Sequence, residues 1–143
     1  MLDKVLLQQM IDEKLVFRQK HPNAELYIYN YSPKVQYEKL WNSITIQTRG
    51  LILDGEMNVI AKPFPKFWNL GEHSPDEIPN ESFDVYEKMD GSLLIVFFYI
   101  DKWFTATRGS FTSVQALKGK ELLNKYNLDL LDKNKTYCFE IIY

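Results

Sequence analysis

The stretch that decides the fold is Leu93-Leu94-Ile95-Val96-Phe97-Phe98-Tyr99-Ile100, the longest apolar run in the sequence. Crossing a bilayer takes about 20 apolar residues, so a run this short predicts a buried strand instead. The chain then turns near Asp101-Lys102 and runs back through Trp103 to Arg108. Residues 93–108 therefore predict two antiparallel strands joined by a tight turn.

Strand patterns outnumber helix patterns in the rest of the chain. We predict strands over residues 25–32, 44–53, 57–62, 83–87 and 136–143. We predict helices over residues 1–20, where His21-Pro22 ends the pattern, and over about 112–126, where Thr112 and Gln115 form a possible capping box. The turn pair Asp54-Gly55 predicts a further hairpin. Together these patterns predict an α+β fold with mainly antiparallel sheets and flanking helices.

Composition limits the class of protein. The 143 residues allow one domain, and 45% hydrophobic with 15% aromatic residues argue against disorder. A net charge of −2 gives no overall attraction to polyanions, so such a contact needs a local cluster of cations. The single cysteine, Cys138, excludes an intramolecular disulfide, and two histidines beside it cannot build a structural zinc site. With no signal peptide or spanning segment, we expect a cytoplasmic protein without membrane contact.

The sequence stops inside an apolar strand pattern, Tyr137-Cys138-Phe139-Glu140-Ile141-Ile142-Tyr143. Termini are usually surface segments that can fray. We therefore expect this sequence to be a fragment of a longer protein. An apolar strand left without its neighbour also predicts self-association through residues 136–143.

The motif Lys88-Met89-Asp90-Gly91-Ser92 lies between two predicted strands. Gly91 lets the backbone approach a ligand closely because it has no side chain. An amine attacks phosphorus once it has lost its proton, which near neutral pH requires neighbouring cations or desolvation. Taken alone, however, the motif is better explained as a solvated lysine beside an Asp-Gly turn.

Two arginines fall on predicted apolar strand faces. Alternation places Arg49 on the face of Leu51, and Arg108 on the face of Phe104. A charged side chain on such a face either reaches water at the strand end or points into a pocket. Both alternatives stay open for each arginine on this pattern.

Two further charged residues lie among apolar neighbours. Lys66 lies in an aromatic loop, where a surface lysine over ring faces is common. Glu140 lies between Phe139 and Ile141, where a carboxylate is usually exposed at an edge and less often a buried acceptor. Each residue has an ordinary structural explanation, but their joint occurrence around one lysine motif is not well explained by chance.

The order of these motifs resembles the nucleotidyltransferase domain of ATP-dependent RNA ligases, and favours the bacteriophage-type RNA ligase 1 family. The motifs are Thr48-Arg49-Gly50, residues 66–70, residues 87–93, Thr107-Arg108-Gly109-Ser110 and Phe139-Glu140-Ile141. The resemblance covers roughly residues 44–143. DNA ligases and capping enzymes share Lys-x-Asp-Gly, but they usually place an arginine shortly after it, where this chain has Ser92.

The resemblance implies an ATP-grasp-like nucleotidyltransferase core and a role for each matching residue. Lys88 would attack the α-phosphorus of ATP and form lysyl-AMP, and the AMP would pass to an RNA 5′-phosphate for sealing to a 3′-hydroxyl. The implied nucleotide-binding residues are Arg49, Lys66 and Arg108 at the triphosphate, Glu140 at the ribose, Glu87 at the adenine, and Asp90 and Gly91 in the nucleophile loop. Mg²⁺ would arrive with ATP, and no residue of this chain is assigned as a metal ligand.

The resemblance also implies that residues 1–143 are the N-terminal part of a single RNA ligase domain. Family members continue to a metal-binding glutamate and a pair of lysines at the α-phosphate, so we expect this chain alone to be weakly active or inactive. Arg108 stands where relatives often carry lysine, which keeps the charge but changes its geometry. The alternatives are a DNA ligase or capping-type nucleotidyltransferase, and a non-catalytic nucleotide-binding domain.

Overall fold

The computed structural model describes residues 1–143 and contains two antiparallel β-sheets that pack against each other. The first sheet has the strand order β1-β2-β3-β4, with β1 Val16–Lys20, β2 Leu26–Tyr31, β3 Arg49–Asp54 and β4 Val59–Ala61. The second sheet has the order β6-β5-β7, with β5 Ser92–Tyr99, β6 Lys102–Ala106 and β7 Tyr137–Ile141. The α-helices are α1 Lys4–Asp12, α2 Pro33–Glu38, α3 Ser43–Gln47 and α4 Val114–Leu123. The predicted α+β class with antiparallel sheets is thus confirmed, and none of the helices is long and apolar enough to cross a membrane.

The main core lies between the two sheets. Ile28 and Ile52 of the first sheet pack with Ile95 and Phe97 of the second, and all four side chains are buried. Phe97 stacks on Phe104 of the neighbouring strand, with ring centroids 5.6 Å apart. Each such side chain contributes about 1.5–3 kcal/mol through burial, so this interface holds the sheets together. Helix α1 covers the opposite face of the first sheet.

The predicted helix over residues 1–20 is wrong in its second half. Asp3 caps α1 by accepting a hydrogen bond from the Leu6 amide, but the helix ends at Asp12. Lys14 then adopts a left-handed φ of 60°, and the chain enters β1. The apolar residue Phe17 fits both a helical repeat and a strand, and its pairing with β2 decides for the strand.

The predicted strand over residues 44–53 begins instead as helix α3. The side chain of Asn42 accepts hydrogen bonds from the amides of Ile44 and Thr45, and the Thr45 hydroxyl accepts one from the Asn42 amide. This capping box satisfies the free amides of a helix start, which explains why β-branched residues there do not form a strand. The strand begins only at Arg49.

The predicted strand over residues 83–87 is also wrong. Residues 83–90 have no regular structure, and Phe83, Val85 and Tyr86 are each more than 80% exposed. An alternating pattern forms a strand only where a neighbouring strand offers hydrogen bonds. We refer to residues 83–91 as the Lys88 segment.

The remaining predictions are close to the observed elements. The Asp54-Gly55 turn joins β3 to its antiparallel partner β4, and the residue 93–108 hairpin is β5–β6. The cap of α4 is Ser113 rather than Thr112. Strand β7 lies at the edge of its sheet with Phe139 40% exposed, so self-association through this strand stays a prediction.

His21 ends β1 by capping the turn that follows it. Its Nδ1 accepts hydrogen bonds from the amides of Asn23 and Ala24, both at 3.1 Å. Its ring meets Phe104 and Phe111 edge-on, with centroids 5.4 and 5.0 Å away. Burial, followed by the charges of three lysines, lowers the pKa of His21. These lysines are Lys102, Lys20 and Lys120.

This arrangement predicts a stability contribution that depends on pH. Folding lowers the His21 pKa below its ordinary value of 6.5. The contribution of neutral His21 to the free energy of unfolding is therefore full above pH 6.5, and it is lost as the pH falls through the pKa of the folded state. Urea unfolding should therefore find the wild type more stable than His21→Gln at pH 7.5, with a smaller difference at pH 5. A difference that does not shrink on acidification would contradict the role of the neutral ring.

Candidate active site

Glu140 and Arg108 lie on opposite sides of β5, toward the end at which Ser92 lies. Glu140 of β7 pairs with Leu93. On the other edge, the ladder between β5 and β6 ends at the pair Ile95–Ala106, and Arg108 follows two residues after the end of β6. Two predicted site residues, separated by 32 positions in the sequence, therefore lie toward the same end of the second sheet.

Gly91 brings the Lys88 segment against β7. A methyl group on Gly91 would overlap the carbonyl oxygen of Ile141, so any other residue here would force the two backbones apart. Gly91 therefore lies close against β7, the strand that carries Glu140. The first residue of β5, Ser92, pairs with Ile141 in the same register. The lysine motif thus enters the second sheet next to the pair formed by Leu93 and Glu140.

A β-bulge moves Arg49 to a different face from the one predicted. Arg49 pairs with Asn30 and Leu51 pairs with Tyr29, so Gly50 is an extra residue on β3. Gly50 has a φ of 81°, which glycine adopts without strain. The extra residue reverses the alternation, and Arg49 lies on the face of Asn30 rather than on the face of Leu51. The bulge therefore turns Arg49 toward the face that the two sheets share.

Asn30 connects the two sheets at this end of the molecule. Its Nδ2 donates a hydrogen bond to the backbone carbonyl of Arg108 at 2.8 Å. Its Oδ1 accepts one from the Gly50 amide at 3.0 Å and one from Arg108 Nε at 3.3 Å. No sequence motif marked Asn30, although an amide that continues the buried face of Leu26 and Ile28 was a visible signal.

Lys66 lies between two indole rings. Its ammonium is 5.6 Å from the ring centroid of Trp41 and 5.3 Å from that of Trp68. The two indoles meet edge-on at 5.7 Å, and the Lys66 amide donates a 2.8 Å hydrogen bond to the Ile46 carbonyl. Each cation–π contact of this kind contributes about 0.5–1 kcal/mol, so the rings hold the ammonium without neutralising it.

The two arginines also lie over aromatic rings. The guanidinium carbon of Arg49 is 5.2 Å from the Phe67 centroid, and that of Arg108 is 4.8 Å from the Tyr31 centroid. Tyr31 in turn meets Trp41 edge-on at 4.9 Å. Aromatic contacts thus connect Arg108 to Lys66, and Arg49 stacks on the ring next to Lys66 in the chain.

We call Arg49, Lys66 and Arg108 the three-cation group. No carboxylate forms an ion pair with any of its members, whereas several lysines elsewhere on the surface do have such a partner. Unpaired cations held over rings keep their full charge. The group is therefore a candidate binding site for an anion that carries several negative charges.

The structure does not bring the Lys88 side chain to the three-cation group. Lys88 Nζ lies 3.2 Å from Asp90 Oδ1, and the two side chains are 79% and 94% exposed. Glu87 is exposed as well and has no hydrogen-bond partner within the chain. In this structure the three residues lie on a solvated segment.

Glu140 is exposed at the edge of the sheet, and its carboxylate has no hydrogen bond or ion pair within the chain. It lies on the face of β7 that also carries Cys138, whose partner on β5 is Ile95 of the main core. The carboxylate is therefore a free acceptor. No group of three or more His, Cys, Asp or Glu side chains in the chain could hold a metal ion.

Comparison with known proteins identifies the family. Residues 47–142 match the model of a family that is described as RNA ligase. This is the bacteriophage-type RNA ligase 1 family. This match includes every predicted site residue from Arg49 to Glu140. The chain belongs to this RNA ligase family.

Two curated relatives have provisional names that include the words RNA ligase. A protein of Thermovibrio ammonificans, provisionally named RNA ligase, is 33% identical over an alignment of 106 residues, which covers 67% of this chain and 28% of that relative. A protein of Autographa californica nuclear polyhedrosis virus, provisionally named bifunctional polynucleotide kinase/RNA ligase, is 29% identical over 126 residues, with 68% of this chain and 18% of the relative covered. The chain thus spans less than a third of either relative.

Proposed function

We propose that residues 1–143 are the nucleotide-binding N-terminal part of an RNA ligase domain in which ATP transfers AMP to Lys88. The observation that carries this proposal is the meeting of three elements at one end of the sheets. The Lys88 segment enters β5 there, Glu140 pairs with Leu93, Arg108 follows the end of β6, and the Gly50 bulge presents Arg49. This convergence supports a nucleotidyltransferase core of the ATP-grasp-like kind.

The three-cation group would bind the triphosphate of ATP. Its members, Arg49, Lys66 and Arg108, have no carboxylate partner, and their ring contacts fix them in place. Preorganised positive charge stabilises the charge that develops on phosphate oxygens in the transition state, without reorganisation during the reaction. The same charge favours the neutral form of a lysine amine brought close to it.

The free carboxylates would select the nucleoside. Glu140 would accept hydrogen bonds from the ribose hydroxyls, because a carboxylate offers only acceptors and each hydroxyl can donate. Glu87 directly precedes the nucleophile and would face the adenine. Asp90 and Gly91 would shape the loop, and Gly91 already packs on the backbone of β7.

Lys88 would reach this site through a movement of its own segment. It lies four residues before Ser92, the start of β5. An extended chain spans about 3.3–3.6 Å per residue, so the Lys88 backbone can sweep about 13 Å around the fixed end of the strand. Because the exposed pair with Asp90 is weakly held, closing the segment over a bound triphosphate requires little disruption.

The proposed chemistry proceeds in three balanced steps. Lys88 Nζ, after losing a proton to solvent, forms a bond to the α-phosphorus while the bond to the bridging oxygen breaks, and pyrophosphate leaves with that electron pair. A 5′-phosphate oxygen of RNA then attacks the same phosphorus, and the lysine leaves and is reprotonated. Finally, a 3′-hydroxyl oxygen loses its proton and attacks the 5′-phosphorus, which releases AMP and seals the RNA.

Magnesium fits this site as a companion of the nucleotide. The chain offers no cluster of carboxylates that could hold the ion alone. Mg²⁺ is usually held by substrate phosphates and water with only one or two protein carboxylates. When bound with ATP, it would neutralise phosphate charge beside the three-cation group.

The proposal is tested by covalent labelling. Because the chain spans 28% and 18% of two relatives, the test uses the longest natural protein that contains residues 1–143. Incubation with radiolabelled ATP and Mg²⁺ should leave AMP on the denatured protein, and nicked RNA should be sealed. Labelling by GTP alone would indicate a capping-type enzyme, and sealing of DNA but not RNA would indicate a DNA ligase. ATP binding without any adduct would indicate a non-catalytic binding domain.

A further inference from the structure

We infer that Asn30 is a positioning residue that presets the phosphate-binding arginines by joining the Gly50 bulge to Arg108. This inference rests on the proposed function of the same site. Asn30 belongs to β2 and lies outside the matched residues 47–142, so the family match does not assign it. Its role follows from the hydrogen bonds of its side chain.

The Asn30 amide can make these bonds in only one orientation. An amide side chain offers two acceptor lone pairs on oxygen and two donors on nitrogen. The oxygen receives the Gly50 amide and Arg108 Nε, and the nitrogen donates to the Arg108 carbonyl. If the amide were flipped, its nitrogen would face the N–H donors of Gly50 and Arg108, and its oxygen would face the Arg108 carbonyl oxygen. Both acceptor lone pairs are therefore used, and the side chain is held firmly.

One side chain thereby controls two arginines on different sheets. Its bond to the Gly50 amide fixes the bulge that sets the face of Arg49. Its bonds to Arg108 hold both the backbone and the Nε edge of the guanidinium, while Tyr31 covers the guanidinium face. The two Nη atoms of Arg108 have no acceptor within the chain. They remain free to bind phosphate, and their direction is set before the nucleotide arrives.

Substitution by aspartate adds a negative charge at the same position. An aspartate at residue 30 keeps the acceptors for Gly50 and Arg108 Nε, but its second oxygen replaces the donor to the Arg108 carbonyl and would face that oxygen. Its charge would also neutralise Arg108 and repel a phosphate. We therefore expect both Asn30→Asp and Asn30→Ala to lower thermal stability, and ATP affinity to fall in the order wild type, Asn30→Ala, Asn30→Asp.

The experiment measures Tm and the Kd for ATP with Mg²⁺ on the longest natural protein that contains this chain. Asn30→Ala should weaken ATP binding about tenfold, as the loss of one well-placed hydrogen bond would. Asn30→Asp should weaken it about tenfold further through charge. Asn58→Ala is the matched control, because Asn58 binds Asp54 in the β3–β4 turn at 3.1 Å. It should lower Tm without changing the Kd.

A second readout does not depend on catalysis. The NMR signal of the Arg108 Nε proton should be protected from exchange in the wild type and should lose that protection in Asn30→Ala. Unchanged protection, or variants that lower Tm but keep the wild-type Kd, would overturn the inference. If the wild type binds ATP without forming an adduct while the Asn30 variants still bind it weakly, the proposed catalysis fails and the role of Asn30 stands. A wild type that does not bind ATP overturns both.

Discussion

Replacing Lys88 by alanine should abolish the covalent transfer of AMP to the protein while leaving its folding intact. The loss should be on the order of 10⁴-fold or more, because no other group replaces a missing nucleophile. The fold should survive because the Lys88 side chain is 79% exposed and its ammonium forms a hydrogen bond only with Asp90. Lys88→Arg should fail equally, since a guanidinium keeps its proton and cannot attack. Intact-mass spectrometry after incubation with ATP and Mg²⁺ measures the adduct.

The chain offers a matched control for this experiment. Lys118 on α4 is also exposed and paired with a carboxylate, Glu121, at 3.2 Å. Lys118→Ala removes the same charge and the same kind of ion pair, and it should leave adduct formation at the wild-type level. Persistent labelling of Lys88→Ala would eliminate Lys88 as the site of attachment.

Removing either Arg49 or Lys66 should slow adduct formation by on the order of 10²-fold or more. Each would stabilise charge on the phosphates in the transition state, and no carboxylate reduces its charge beforehand. Thermal stability should change little, because both side chains are only partly buried. Single-turnover rates of AMP transfer, measured beside Tm for Arg49→Ala and Lys66→Ala, test this expectation.

Methionine variants distinguish charge from packing at the same positions. Lys66→Met leaves an apolar chain between Trp41 and Trp68 but removes the ammonium, so its rate should fall as far as that of Lys66→Ala. Arg18→Met is the control, because Arg18 stacks on Tyr27 at 4.7 Å but lies outside the three-cation group. If Lys66→Met kept the wild-type rate, or if folding and rate fell together in all variants, the residues would be structural.

The sequence determined the strands whose pattern is local. The apolar run 93–100 and the segment that runs back after Asp101 form the two strands of the β5–β6 hairpin. The pair Asp54-Gly55 lies in the turn between β3 and β4. Tertiary context decided the cases where local signals conflict. Phe17 continues a helical repeat yet lies in β1, because β2 offers it a pairing edge. The Lys88 segment alternates like a strand yet has no neighbour to pair with.

For the site, the sequence by itself determined which residues are candidates for the proposed chemistry. Lys88 in its Asp-Gly motif, the cations Arg49 and Arg108, and the carboxylate Glu140 are all recognisable from their neighbours in the chain. Their identities follow from short motifs because each motif is local.

Only the tertiary structure decided how these residues face one another. Glu140 pairs with Leu93 because of the register between β5 and β7, which neither segment encodes by itself. Arg49 changes face because Gly50 adds one residue to β3, and strand alternation reverses at every such addition. Asn30 looked like an ordinary strand residue until long-range packing set it between the bulge and Arg108. Strand pairing therefore selects the face of each charged side chain, since hydrogen bonds between distant segments fix the register.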